Sequence, residues 1–428
     1  MTDSQDSGPL SSKSGSWLSA IRKINFRPYL TGTFPFYIFA HFGHHAVSAM
    51  LRPLAPMIRT DLNLSYTQIG WMQTAFGLSN GLSQLPAGRL ADHFGARLMV
   101  LLGVTGVAVA GFFIGFTNSF AMLVGLLVLS ALLGAGYHPA SAAAITSSVP
   151  EEYRGRMLGV HLIGGTSAFW IVPLLAAPIA ATWGWRSPYL ILTAPVAILG
   201  VFLYTQIGKR IRADASRRQE QIPDTETPSA KASINWGKLV PFITISVLTG
   251  TMVQSVSGYL ALYATDVLLV SEATAAMLMS VTPAVGLFAA PLGGYLADRF
   301  GSMRIILIVS YITIPLIYLV GITPNVAALV TVMIVLGLVS NTRMPTSESY
   351  IAGNTPEHRR ATVLGIYYFA GTGVGAPLAP IVGNLIDRMG FQKTFAAASA
   401  VTAAITLLCS LFLWKNRGRN KHPEITGE

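Results

Sequence analysis

The octapeptide Gly88-Arg-Leu-Ala-Asp92-His-Phe-Gly95 returns 206 residues later as Gly294-Tyr-Leu-Ala-Asp298-Arg-Phe-Gly301, with six of its eight residues unchanged. The same offset relates Pro139 to Pro345, Ser141 to Ser347, Arg154 to Arg360, Gly165-Thr166 to Gly371-Thr372 and Gly184 to Gly390. An ungapped offset held over that distance marks a tandem duplication. The chain must therefore fold as two copies of one architecture. A period of half the chain is too long for a solenoid of small repeats.

Each octapeptide lies between two apolar runs, so each reads as a short polar hairpin joining membrane helices. Twelve apolar spans can be drawn, roughly at 33–58, 66–88, 97–117, 120–145, 156–181, 187–207, 239–265, 273–295, 303–321, 325–351, 361–386 and 394–414. Each is long enough to cross a hydrocarbon core of ~30 Å as a helix. Composition agrees: 52% of residues are hydrophobic and 11% charged, about half the charged share of a soluble chain. The lone Cys409 excludes a disulfide framework and a cysteine metal site. The net charge of +11 does not point to nucleic acid, because the basic residues gather at the ends of spans.

Gly-x-Leu-Ala-Asp-x-x-Gly after a second hydrophobic span resembles the loop signature of the major facilitator superfamily of secondary transporters. In that family the signature joins helices 2 and 3, and often recurs between helices 8 and 9; here it stands at both places. The resemblance implies an all-α membrane fold of two pseudo-symmetric six-helix bundles around a central cavity. It implies alternating access, ion coupling (most often to protons), and substrate contacts mainly from helices 1, 4, 7 and 10. It also implies gating by Gly88, Asp92, Gly95, Gly294, Asp298 and Gly301, the aspartates being positioned by close-packed glycines.

The expected organisation is a cytoplasmic tail over 1–32, with an amphipathic helix around Trp17–Arg27 on the inner membrane surface. A first bundle over 33–208, a linker over 209–236, a second bundle over 237–414 and a tail over 415–428 follow. Of 29 Lys and Arg, 23 fall in the termini or the even-to-odd loops, while Arg59, Arg186, Arg388 and Lys393 fall opposite. The positive-inside rule then puts both termini in the cytoplasm of a multi-pass plasma-membrane protein, an inner-membrane protein if the cell is bacterial.

Two arginines remain inside spans, where a charge costs about 3 kcal/mol or more on insertion scales. Arg343 lies too deep in span 10 to snorkel and should face the bundle interior. Arg52 is near the end of span 1 and can reach the headgroups. Five histidines also lie in spans: His41, His44, His45, His138 and His161. His41, His45 and Arg52 share one helix face. With no carboxylate or cysteine in spans 1 to 6, a titratable lining is favoured over a metal, and no metal site is expected. Pro139 and Pro345 should kink spans 4 and 10 beside Tyr137-His138 and Arg343. Glu348, in the last turn of span 10, reads as a gate paired with Arg299, Arg304 or Arg360, or as a proton site.

These observations support a transporter of a small organic solute, anionic because buried arginines outnumber buried acids, with Arg343, Arg52, His41, His45, Tyr137 and His138 at the substrate. His41, His45, His138 and Glu348 are the proton-coupling candidates. No Walker-type loop is present, so ATP is not the energy source, and no cofactor is expected. The expected partners are substrate, protons and membrane lipid, with a monomer as the working unit. Drug export is the alternative. A receptor or scaffold without transport is remoter, since a scaffold needs neither the octapeptides nor intramembrane charge.

Overall fold

The structure, a computed structural model, describes residues 34–147, 151–218, 234, 236–356 and 359–417. The expected amphipathic segment and most of the linker lie outside these residues. The described chain is helical, with no strand. Among the described residues, nine helical segments are long and apolar enough to cross a membrane. One of them, Thr362–Leu413, contains two of the expected spans, because the helix Leu378–Arg417 breaks at Gly390. Spans 1 and 2 are not among the nine. The helix Phe34–Leu51 carries three histidines, and span 2 carries Gln68, Gln73, Asn80 and Gln84, all of which lower hydropathy. The sixth span runs on as helix to Arg218, into the stretch read as linker.

The duplication is written into the backbone. Gly95 and Gly301 have φ of 78° and 87°, and Gly184 and Gly390 have 81° and 77°. Asn63 and Leu269, the positive-φ residues that are not glycine, are also 206 apart. Helix N-caps repeat in the same way: Ser65 matches Ser271 and Ser119 matches Asn325, each side chain accepting a backbone N–H of the first turn. Span 1 ends at Leu51, turns through Arg52–Leu54 and resumes at Ala55–Asp61; span 7 ends at Ser257, turns and resumes at Leu260–Asp266. The polypeptide thus folds twice into one six-helix form.

The kinks do not repeat so faithfully. Span 4 breaks at Ala135-Gly136, between Phe120–Gly134 and Tyr137–Ser147, with Pro139 in the first turn of the new segment. Span 10 runs unbroken through Pro345 from Val326 to Gly353. Gly136 stands at the break, whereas its equivalent in the unbroken span 10 is Thr342.

Outward faces are apolar: Ile198, Phe288 and Leu408 are 71%, 77% and 68% exposed, which suits contact with lipid. Between the halves, where lipid offers no hydrophobic drive, small residues allow close approach. A Cβ on Gly70 would sit 2.4 Å from the Pro380 backbone, and one on Gly81 would sit 2.7 Å from that of Gly373. Spans 2 and 11 therefore touch backbone to backbone.

Candidate functional site

In the first half, the five intramembrane histidines converge. The His41 ring stacks on His161 with centroids 4.2 Å apart, and lies 4.9 Å from His45 and 5.3 Å from His138. His44 stacks on Tyr137 at 4.5 Å and lies 4.8 Å from His138. Two rings are pinned: His41 Nδ1 bonds the His161 carbonyl at 2.9 Å, and His44 Nδ1 bonds the Gly103 carbonyl at 2.8 Å. A carbonyl only accepts, so both Nδ1 atoms carry hydrogen, and in the neutral rings both Nε2 atoms keep their lone pairs. His45 and His138 are half-buried; their carbonyls accept from the Ser48 and Ser141 hydroxyls, but their rings make no hydrogen bond among the described residues. Tyr137 is fully buried and donates to the Tyr37 carbonyl at 3.2 Å.

The helical spacing of His41 and His45 foretold their shared face, but nothing in the sequence placed His44 and His161 in the same cluster. Tight packing made the difference. Gly165 leaves room that a Cβ, 2.5 Å from His41 Nε2, would fill. Gly134 and Gly103 do the same for His44 and Tyr137.

In the second half, Arg343 is 6% exposed and faces the interior of its own bundle. Its guanidinium donates to Thr249 Oγ1, to the Ser246 carbonyl at 3.4 Å and to Thr313 Oγ1 at 3.4 Å. All three acceptors are neutral. Among the described residues the ion pairs are Arg59–Asp266 and Arg186–Asp61, so no carboxylate pairs with Arg343. Ser246 also bonds Ser347 at 2.8 Å and Tyr367 at 3.3 Å, extending a hydroxyl network around the arginine. Ser246, Thr249 and Thr313 were not singled out from the sequence, whereas Tyr367 reads there as candidate lining; by the offset Tyr367 is the equivalent of His161 and Ser347 of Ser141.

Two expectations need correction. Arg52 does not turn to the headgroups: its Nη1 crosses to the second half and donates to Gln254 Oε1 at 3.0 Å. Its helix has already ended at Leu51, so it leaves the face shared by His41 and His45. Glu348 pairs with neither Arg299 nor Arg304; it accepts from Tyr368 Oη at 2.5 Å. The side chain of Arg360 lies outside the described residues.

The halves are latched at the face opposite the octapeptides. Arg59 meets Asp266 at 3.2 Å, Tyr66 Oη donates to the same carboxylate, and Thr60 donates to Glu272 at 3.1 Å. Asp387 receives the Tyr66 N–H at 3.0 Å, the Thr67 N–H at 2.9 Å and the Thr67 hydroxyl at 2.6 Å. A carboxylate there complements the positive end of span 2. Asp61 belongs to this face too. The Arg186 hydrogen bond, helped by Trp185, holds its carboxyl below the usual range despite partial burial.

At the octapeptide face, Gly95 and Gly301 work through conformation. No atom lies within 4 Å of a Cβ built on either, yet both have the positive φ that side chains resist. Gly294 likewise has no close neighbour, so tight packing there is not its role. Asp298 is exposed, and the side chains at Gly88 and Asp92 fall outside the described residues.

Two duplicated helical bundles, lipid-facing on the outside and carrying unpaired polar groups within, define a multi-pass membrane transporter rather than an enzyme. The chain belongs to the Major Facilitator Superfamily, whose sequence model matches residues 37–316 and 244–428. Relatives include multidrug resistance protein MdtG of Escherichia coli O17:K52:H18, 23% identical over 388 residues, 89% of this chain and 93% of that protein. Similar solved structures include a bacterial homologue of the human lysosomal transporter Spinster, inward-facing and unoccupied. It is 19% identical with TM-score 0.74, covering 92% of this chain and 98% of that one. A peptide transporter POT in complex with sulfate is 13% identical, with TM-score 0.73 over 90% of this chain and 94% of that one. These likenesses speak to fold.

Proposed function

We propose that this chain is a proton-coupled secondary transporter that moves a small organic anion by alternating access. The observation that carries this reading is Arg343: a buried guanidinium whose hydrogen-bond partners are all neutral. Five N–H donors are available to it, and two of its bonds, at 3.4 Å, are long. A carboxylate or phosphate entering the second bundle could displace the hydroxyls and be gripped by two parallel bonds. The sulfate in the POT complex is an anion held by a related fold, though by a distant relative. His41, His45 and His138 take the coupling proton, since imidazole changes charge near neutral pH. Five rings whose neighbouring centroids lie 4.2–5.4 Å apart cannot all be positive at once, so a proton in the cluster is shared rather than multiplied. With the octapeptides placed in the cytoplasm, the contacts of Arg59, Asp266 and Asp387 lie on the outer side, where they would hold that side closed in a plasma-membrane monomer.

The test is binding and pH-driven uptake by reconstituted protein over a panel of organic anions. Arg343→Lys keeps the charge but not the fork, and should weaken binding by about 1.4 kcal/mol or more, at least tenfold. Arg343→Ala should abolish it in protein that still purifies as a folded monomer. Single replacement of His41, His45 or His138 should uncouple uptake from the pH gradient in at least one case. Drug export is the second reading, favoured by the name of the E. coli relatives. It replaces the first if the tightest ligand is a neutral or cationic drug that Arg343→Ala binds as well as the parent.

A further inference from the structure

The pair His41 and His45 at helical spacing offers two ligands, too few for a closed metal shell. The fold adds a third from span 4. One ring nitrogen from each of His41, His45 and His138 lies within 4.8 Å of the others. With metal–nitrogen bonds of about 2.0–2.1 Å, tetrahedral geometry asks for nitrogens roughly 3.4 Å apart. Small side-chain rotations close that gap, and His45 and His138 are free to make them because neither ring is tied by a hydrogen bond. His41 is pre-set: its Nδ1–H is held by the His161 carbonyl at 2.9 Å, which leaves Nε2 as the ligating atom. A ligating histidine is normally oriented in this way through its second nitrogen. The aromatic groups packed against the three are His44, Tyr137, His161 and Phe169, and spans 1 to 6 carry no carboxylate to compete for the ion or neutralise it.

We propose that His41, His45 and His138 form a three-imidazole site for a late first-row divalent ion, Zn2+ in the first instance, with its fourth position open to water or an anion. Imidazole-only ligation suits Zn2+, Ni2+ and Cu2+ over Mg2+ or Ca2+. Metal and proton compete there for the same lone pairs, so binding weakens as the pH is lowered. The site is independent of the anion reading for Arg343, which lies in the other half of the molecule, but it uses the same three imidazoles as the coupling-proton reading, so a bound ion would displace that proton.

The experiment is titration of Co2+, a coloured stand-in for Zn2+, into the full-length chain without an added histidine tag, in lipid nanodiscs. The expected result is one Co2+ per chain, with the intense visible absorption of four- or five-coordinate geometry, bleached by Zn2+. His45→Asn and His138→Asn should each weaken binding at least tenfold, and His93→Asn, an exposed histidine, should leave it unchanged. A Cys409→Ser, His45→Cys double variant should still bind, and should gain a near-ultraviolet sulfur-to-cobalt charge-transfer band. That band decides the matter if either asparagine variant does not fold. Absence of visible absorption in the parent, absorption that survives both asparagine changes, loss on His93→Asn alone, or no charge-transfer band would each overturn the proposal.

Discussion

Equivalent positions in the two halves carry opposite chemistry. Where the first half has His41, His44, His45, Tyr137 and His161, the second has Val247, Gly250, Thr251, Arg343 and Tyr367. The first pocket is a stack of imidazoles pinned by backbone carbonyls. The second is one guanidinium ringed by hydroxyls. Backbone features survive the same comparison, including the positive-φ glycines, the N-caps and the interruption of spans 1 and 7. The duplication thus preserves the frame and leaves the pockets free to differ. A two-fold frame with unlike pockets can assign proton chemistry to one half and charge recognition to the other.

The comparison is broken most sharply at the paired glycines 165 and 371. Gly165→Ala would drive a Cβ to 2.5 Å from an imidazole that is 2% exposed and hydrogen-bonded, so it cannot swing aside. It should destabilise by about 1–3 kcal/mol, as overpacking does. Gly371→Ala meets nothing within 4 Å and should be neutral, or stabilising by up to about 1 kcal/mol. Thermal unfolding of the two variants in one detergent checks the contrast, and equal losses would mean the two pockets are packed alike.

The latch offers a second contrast. Asp387 caps span 2 of the first half, whereas its equivalent is Ala181, so this tie has no counterpart. Asp387→Ala should favour opening of that face by about 1 kcal/mol after allowance for its exposure, roughly a fivefold change in population. Spin-label distances between residues on either side of the latch would report the shift. An unchanged distribution would leave the closure to the Arg59–Asp266, Tyr66–Asp266 and Thr60–Glu272 contacts and the backbone approach at Gly70.

The smallest expected effect concerns Asp61, whose equivalent is Val267. Its carboxyl is held low by Arg186, so it contributes stability above the unfolded aspartate value of about 3.9. That contribution disappears as pH falls through the lower folded value. The side chains are 43% and 31% exposed, so the contribution should not exceed about 1 kcal/mol. Asp61→Asn should therefore lower the melting temperature slightly at pH 7 and match the parent in strong acid. A difference that grew on acidification would have the wrong sign for this pair.

The sequence by itself determined the duplication, the membrane-crossing character and the burial of Arg343. All three follow from properties of a linear pattern: an offset, a run of apolar residues, a charge counted from the end of a span. It also marked His41 and His45 as neighbours, because four residues along a helix is a fixed rotation. Only the tertiary structure decided that His44 and His161 join them and brought His138, already grouped with them as a site residue, into ring contact, because that depends on how spans 1, 4 and 5 are rotated against one another. It alone turned Arg52 across to Gln254 and gave Glu348 to Tyr368 instead of an arginine. A side chain's partner across a helix interface is set by packing of small residues, such as Gly165 and Gly103, whose effect is felt by other chain segments and leaves no local periodic signal.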